Sequence, residues 1–137
     1  MESLAGEALP LDNGGNVSRD FIFVQDVVDG LIACAGKGVP GESYNLATGV
    51  ETTILDIALK INEIVGNKTS LELKPARDWD RSGKRFGSTW KSLEKLGYKA
   101  EISVEQGLQQ TIDWTKENKI MVERSVGKHD AMMLRSE

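Results

Sequence analysis

Hydrophobic positions along the chain follow two rhythms, one helical and one of short extended runs. Val27, Leu31, Cys34 and Ala35 recur three and four residues apart, which predicts one face of an α-helix. Just before it, Phe21-Ile22-Phe23-Val24 is a β-branched and aromatic run that reads as a buried strand. Asp26 is the expected N-cap between the two, with Asp29 adding negative charge to the first turn. Gly36 to Gly41 breaks this helix, and Ser43-Tyr44-Asn45-Leu46 reads as a second short strand. A second helix is predicted from Thr52 or Thr53, where Thr53-x-x-Asp56 approximates a capping box. Its face is Ile54, Ile57, Ala58, Ile61, Ile64 and Val65, and Gly66 closes it in the left-handed position that glycine adopts cheaply.

Upstream, Ala8 to Leu11 reads as a short strand, followed by a tight turn at Asn13-Gly14-Gly15-Asn16. Downstream, Leu71-Glu72-Leu73 is a strand stopped by Pro75, and a loop runs through residues 77–83. A short helix is expected near Thr89–Leu96, closed by Gly97. Ser103-x-x-Gln106 is another capping box, opening an amphipathic helix through Leu108, Thr111, Ile112 and Thr115. Past Lys119 the periodicity fades. The order predicts an α/β fold with a small, mainly parallel sheet and flanking helices, over residues 1–119, with 120–137 a poorly patterned tail.

Composition narrows the function classes. The chain has 137 residues, a net charge of −4, 39% hydrophobic and 28% charged residues. Those values fit one soluble domain and leave no basic footprint for nucleic acid or an anionic membrane. No apolar run reaches membrane-spanning length, and the first residues lack the pattern of a signal peptide, so the expected location is cytoplasmic. The sequons at Asn16 and Asn67 are then read as chance. One cysteine and one histidine leave little for metal or nucleophilic chemistry, so Cys34 is assigned to packing, His129 to solvent, and no metal site is expected. Gly36-x-Gly38-x-x-Gly41 spells a dinucleotide fingerprint, but it follows a predicted helix and leads into a predicted strand. That order is the reverse of what a pyrophosphate-binding turn requires.

Five stretches in sequence order carry a family likeness. They are Ser18-Arg19-Asp20-Phe21-Ile22-Phe23-Val24-Gln25-Asp26-Val27; Tyr44-Asn45-Leu46-Ala47-Thr48-Gly49; Pro75-Ala76-Arg77-Asp78-Trp79-Asp80; Lys91 to Tyr98; and Ser103 to Trp114. Together they resemble the C-terminal region of NAD-dependent epimerases/dehydratases, the extended short-chain dehydrogenase/reductases that act on nucleotide sugars, over about residues 9–116. The resemblance implies the C-terminal substrate-binding portion of an extended Rossmann-type enzyme, similar to UDP-glucose 4-epimerase, with a 4,6-dehydratase or decarboxylase as the nearby variants. It implies Arg19 and Arg77 on the diphosphate of a UDP- or dTDP-sugar and Asp80 on the ribose hydroxyls, with Asp78 a competitor for that task. Phe21 is implied near the nucleotide, although its alternation with Phe23 equally fits a core strand. Asn45 and Gly49 are read as structural.

Guanidinium forks match phosphate oxygens with paired, charge-assisted hydrogen bonds, so those roles suit the residue types. The family's Gly-rich cofactor turn and its Tyr-x-x-x-Lys pair are absent from this sequence. No cofactor is therefore assigned to the chain, NAD being implied for the full-length family enzyme, and no catalytic residue is assigned. The chain alone is expected to be inactive. A standalone nucleotide-sugar-binding module and a truncated fragment are the other readings. Self-association, or docking to a missing Rossmann domain, is expected of either.

Overall fold

The computed structural model describes residues 1–79 and 83–133. Two small ladders organise the chain. Strand β1 (Pro10–Leu11) pairs in parallel with β4 (Glu72–Leu73), Pro10 opposite Glu72 and Leu11 opposite Leu73. Strand β2 (Ser18–Arg19) pairs antiparallel with β3 (Thr52–Thr53). The parallel ladder is prolonged by a tight 3₁₀ turn over Asp12–Gly15, where Asn13 and Gly14 donate backbone bonds to Pro75 and Lys74, each at 3.2 Å. Gly15 has a φ of 74° in this turn, and a β-carbon there would come within 2.8 Å of the Leu55 amide nitrogen. Only glycine fits.

Among the described residues five α-helices accompany the ladders: α1 (Val24–Lys37), α2 (Ile54–Val65), α3 (Trp90–Leu96), α4 (Val104–Glu117) and α5 (Lys119–Met133). Both capping boxes form as the spacing predicts. Thr53 and Asp56 exchange bonds at the start of α2, and Ser103 and Gln106 do so at the start of α4. Gly66 and Gly97 close α2 and α3 in left-handed conformations. The buried apolar residues among the described ones include Leu11, Ala58, Leu96, Tyr98 and Ile112, of which Leu96 is fully buried.

Four expectations are corrected. Phe21–Val24 is not a strand: Phe21–Phe23 joins no ladder among the described residues, and Val24 already begins α1. Its aromatic rings serve helix packing instead, since Phe23 lies so close to Gly107 of α4 that a β-carbon there would meet its ring at 3.0 Å. Ser43–Leu46 likewise joins no ladder among the described residues. Asp26 is not the N-cap. Phe23 holds that position, while Asp26, 4% exposed, reaches across to accept hydrogen bonds from the amides of Glu101 and Ile102, both 3.0 Å long. The expected inner face of α1 is also rotated: Asp26 and Gly30 are buried, whereas Leu31 is 58% exposed beside outward-facing Val24, Val28 and Ile32. Gly30 turns inward because Leu46 and Tyr98 pack where its side chain would be. Beyond Asn118 the weakly patterned segment continues as helix α5, which packs on α4.

Asp26 joins α1 to the loop entering α4, so Asp26→Ala strands two amide donors. We expect a loss of about 2–3 kcal/mol in unfolding free energy, checked by urea denaturation. Leu31→Ala, on the exposed face, should change it by less than about 0.5 kcal/mol.

Candidate functional site

The segment between β4 and α3 is gripped at its two ends. Near its start, the guanidinium of Arg77 forms an ion pair with Asp12, the first residue of the 3₁₀ turn, and lies 5.4 Å from the centre of the Trp79 ring. Near its end, Arg19 Nη1 donates to the carbonyls of Ser18 at 2.6 Å and Gly83 at 2.9 Å. Backbone contacts reinforce that end: Arg85 N–H donates to Ser18 O, and Lys84 bridges to Ser18 in parallel. Arg77 thus stands on one flank of residues 77–83, and Arg19, from β2, reaches Gly83 on the other. Asp80 lies outside the described residues. Phe21 is half-buried and lines a cavity of about 180 Å³ with Ile57 of α2 and Gly107 and Leu108 of α4, so it sits on the helix-facing side of its segment.

Between Arg19 and Phe21 stands the residue that sequence reasoning left unassigned. The Asp20 carboxylate accepts four hydrogen bonds, from Thr48 N–H (2.9 Å), Thr48 Oγ1 (2.5 Å), Gly49 N–H (2.8 Å) and Gly87 N–H (3.2 Å). It fastens the exit of β2 to the turn at Thr48-Gly49 and to the loop approaching α3. Gly49 makes that turn with a φ of 76°. Gly87 has no room for a side chain, since its β-carbon would fall 2.6 Å from that of Ala47. Burial pushes the Asp20 carboxyl upward, but hydrogen bonds from the Thr48 hydroxyl and the Thr48, Gly87 and Gly49 amides outweigh it and hold the group below the ordinary aspartate range. The available signal was the recurrence of Asp20 and Thr48-Gly49 within two of the motif stretches.

A second anchor lies alongside. Buried Ser18 donates to Glu51 Oε1 at 2.6 Å, and Lys84 Nζ lies 3.2 Å from the same oxygen. The Ser18 hydroxyl and then Lys84 hold the Glu51 carboxyl below its usual range. Asn45 donates to Ser88 O at 3.0 Å and accepts at its own carbonyl from Ser92, a structural role as expected.

The cations around this loop include the Arg19 and Arg77 guanidinium groups and the Lys84 ammonium, and a guanidinium suits paired contacts with phosphate or carboxylate. Among the described residues no group of three His, Cys, Asp or Glu side chains could hold a metal ion. The Tyr98 phenol is buried with an unpartnered hydroxyl, and burial followed by the charges of Asp26 and Asp29 raises its pKa, so it stays protonated at neutral pH. The Gly36–Gly41 run sits at the C-terminal end of α1, with Gly38 its C-cap. That end of a helix presents carbonyls and partial negative charge, so these residues do not fit a dinucleotide pyrophosphate. None of the helices is long and apolar enough to cross a membrane among the described residues.

Comparison with known proteins places this architecture. The model of the NAD dependent epimerase/dehydratase family matches residues 2–47. UDP-glucose 4-epimerase of Mycolicibacterium smegmatis is 31% identical over 111 residues, which are 81% of this chain and 35% of that protein. The structure of the Bordetella bronchiseptica enzyme WbmF with NAD+ and UDP superposes with a TM-score of 0.85 at 50% identity, over 98% of this chain and 39% of that one. UDP-glucose 4-epimerase of Thermotoga maritima, solved with UDP-glucose, gives 0.79 at 30% identity, over 85% and 37%. The chain therefore spans little more than a third of the relatives it matches.

Because the Asp20 pKa is depressed on folding, its contribution is fully present above about pH 4 and is lost as the pH falls through its lower folded value. Asp20→Asn should cost about 1.5–3 kcal/mol at pH 7. The difference from the parent should shrink in denaturation curves taken at successively lower pH below about 4.

Proposed function

Since the chain belongs to the NAD-dependent epimerase/dehydratase family, we propose that it is the nucleotide-sugar-binding part of an enzyme of the UDP-glucose 4-epimerase type. The observation that carries this reading is the pair of guanidinium groups, Arg19 and Arg77, set on the two flanks of one loop. A nucleotide diphosphate offers two anionic groups to such a pair. The described flanks of that loop are held by the Arg77–Asp12 ion pair and the Arg19–Gly83 bond. Asp80 is assigned to the ribose hydroxyls, where an acceptor-only carboxylate suits two donors. Support comes from the UDP in the WbmF structure and the UDP-glucose in the Thermotoga enzyme.

NAD bound to the remainder of the enzyme supplies transient oxidation at the sugar. This chain's share is orientation: it fixes the diphosphate so that the sugar is held toward the cofactor half. The outward stripe of Val24, Val28, Leu31 and Ile32 on α1, with the unladdered Ser43–Leu46 segment, is assigned to contact with that half. In isolation the same surface is assigned to self-association. The cytoplasm is the proposed location.

Calorimetry with UDP tests the binding role. The chain should bind it, and Arg77→Ala should weaken binding at least about tenfold. Arg77→Lys should also lose affinity, because a point charge cannot reproduce the fork. Unchanged affinity in both folded variants would remove Arg77 from the site. Sedimentation equilibrium should find the purified chain above its 15.0 kDa monomer mass, with Leu31→Asp shifting it toward monomer. A strict monomer at all concentrations would refute the assigned surface.

A further inference from the structure

We propose that Asp12 is a placeholder for the ligand's phosphate: its carboxylate holds Arg77 in the free chain and is displaced when a nucleotide diphosphate arrives. The inference rests on the nucleotide-sugar reading and extends it to a residue that sets affinity without touching the sugar. Arg77 uses two different parts of its guanidinium at once. Its Nη2 meets Asp12, and its Cζ lies over the Trp79 ring, 5.4 Å from the centroid. Carboxylate and phosphate compete for the N–H edge because both accept the same paired donors. A cation–π contact with an indole takes none of those N–H donors. The anion can therefore be exchanged while Trp79 keeps the guanidinium in place.

Exchange also requires a weak first partner. The Arg77 and Asp12 side chains are 53% and 36% exposed, and ion pairs so open to water contribute little. Asp12 itself does not travel. The β1–β4 ladder precedes it, and the Asn13 and Gly14 amides are bonded to Pro75 and Lys74 immediately after it. After exchange its negative charge stays beside the incoming phosphate, and this repulsion lowers affinity further. Asp12 thus keeps Arg77 aligned before binding and makes the site release its ligand more readily.

The test compares UDP with uridine, which lacks the phosphates, by calorimetry on the parent chain and Asp12→Asn. UDP should bind the variant about three- to tenfold more tightly, and uridine should bind both equally. Asp12→Ser, which also removes the charge, should reproduce the gain, so the outcome does not hang on the folding of one variant. Trp79→Leu should weaken UDP binding in either background. If the parent binds UDP and both Asp12 variants bind it equally or less tightly, the placeholder role is overturned while the nucleotide-sugar reading stands. An equal gain for uridine would also overturn it, by marking a general change in the pocket. Absence of UDP binding in parent and variants alike would overturn the nucleotide-sugar reading, and the placeholder with it.

Discussion

One carboxylate holds the architecture around the loop together. Asp20 accepts from Thr48, Gly49 and Gly87, so three segments far apart in sequence meet at one pair of oxygens. A charged acceptor with four donors is among the stronger arrangements a side chain can make, and it leaves no lone-pair direction idle. Its consequences radiate outward. Arg19 and Phe21, its immediate neighbours, are sent to opposite tasks, one against the loop and the other against the helices. The Thr48-Gly49 turn is fixed next to β3, and the approach to α3 is fixed at Gly87.

Polar anchoring recurs elsewhere and compensates for a thin apolar core. Ser18, Asp26, Asn62 and Ser92 are buried, and each has a partner: Glu51, the Glu101 and Ile102 amides, Ser3 and Asn45 respectively. Such contacts specify geometry more than they stabilise, since the net value of each is only about 1 kcal/mol. Much of the apolar surface points outward, along α1 and at Trp90, Trp114 and Ile120. A chain built this way has its positions well defined but its hydrophobic stabilisation incomplete.

The division between what could and could not be read from sequence follows the range of the forces involved. Local signals were legible: the two capping boxes, the closing glycines at Gly66 and Gly97, and the strand halted by Pro75 all depend on residues within one turn of each other. Long-range choices were not. The run Phe21–Val24 has strand composition, yet packing against Gly107 of α4 overrides that preference. Asp26 has the chemistry of a cap, and only the fold reveals that two amides 75 and 76 residues away claim it. The rotation of α1 was hidden for the same reason, because Gly30 becomes the contact point once Leu46 and Tyr98 are in place. For the site, Arg19 and Arg77 were named from motif order. Asp12 and Asp20 were not, since neither position announces its partner locally.

The reach of the Asp20 bonds also governs how the chain attains its structure. Its partners are 28, 29 and 67 residues distant, so the carboxylate collects them only after loops of those lengths have closed. Closure costs chain entropy before any bond repays it, and proteins dominated by such contacts cross higher barriers and fold more slowly. Helices α2 and α4, with their local caps, can flicker into existence early. Of these contacts the Gly87 amide, 67 residues from its acceptor, requires the longest closure.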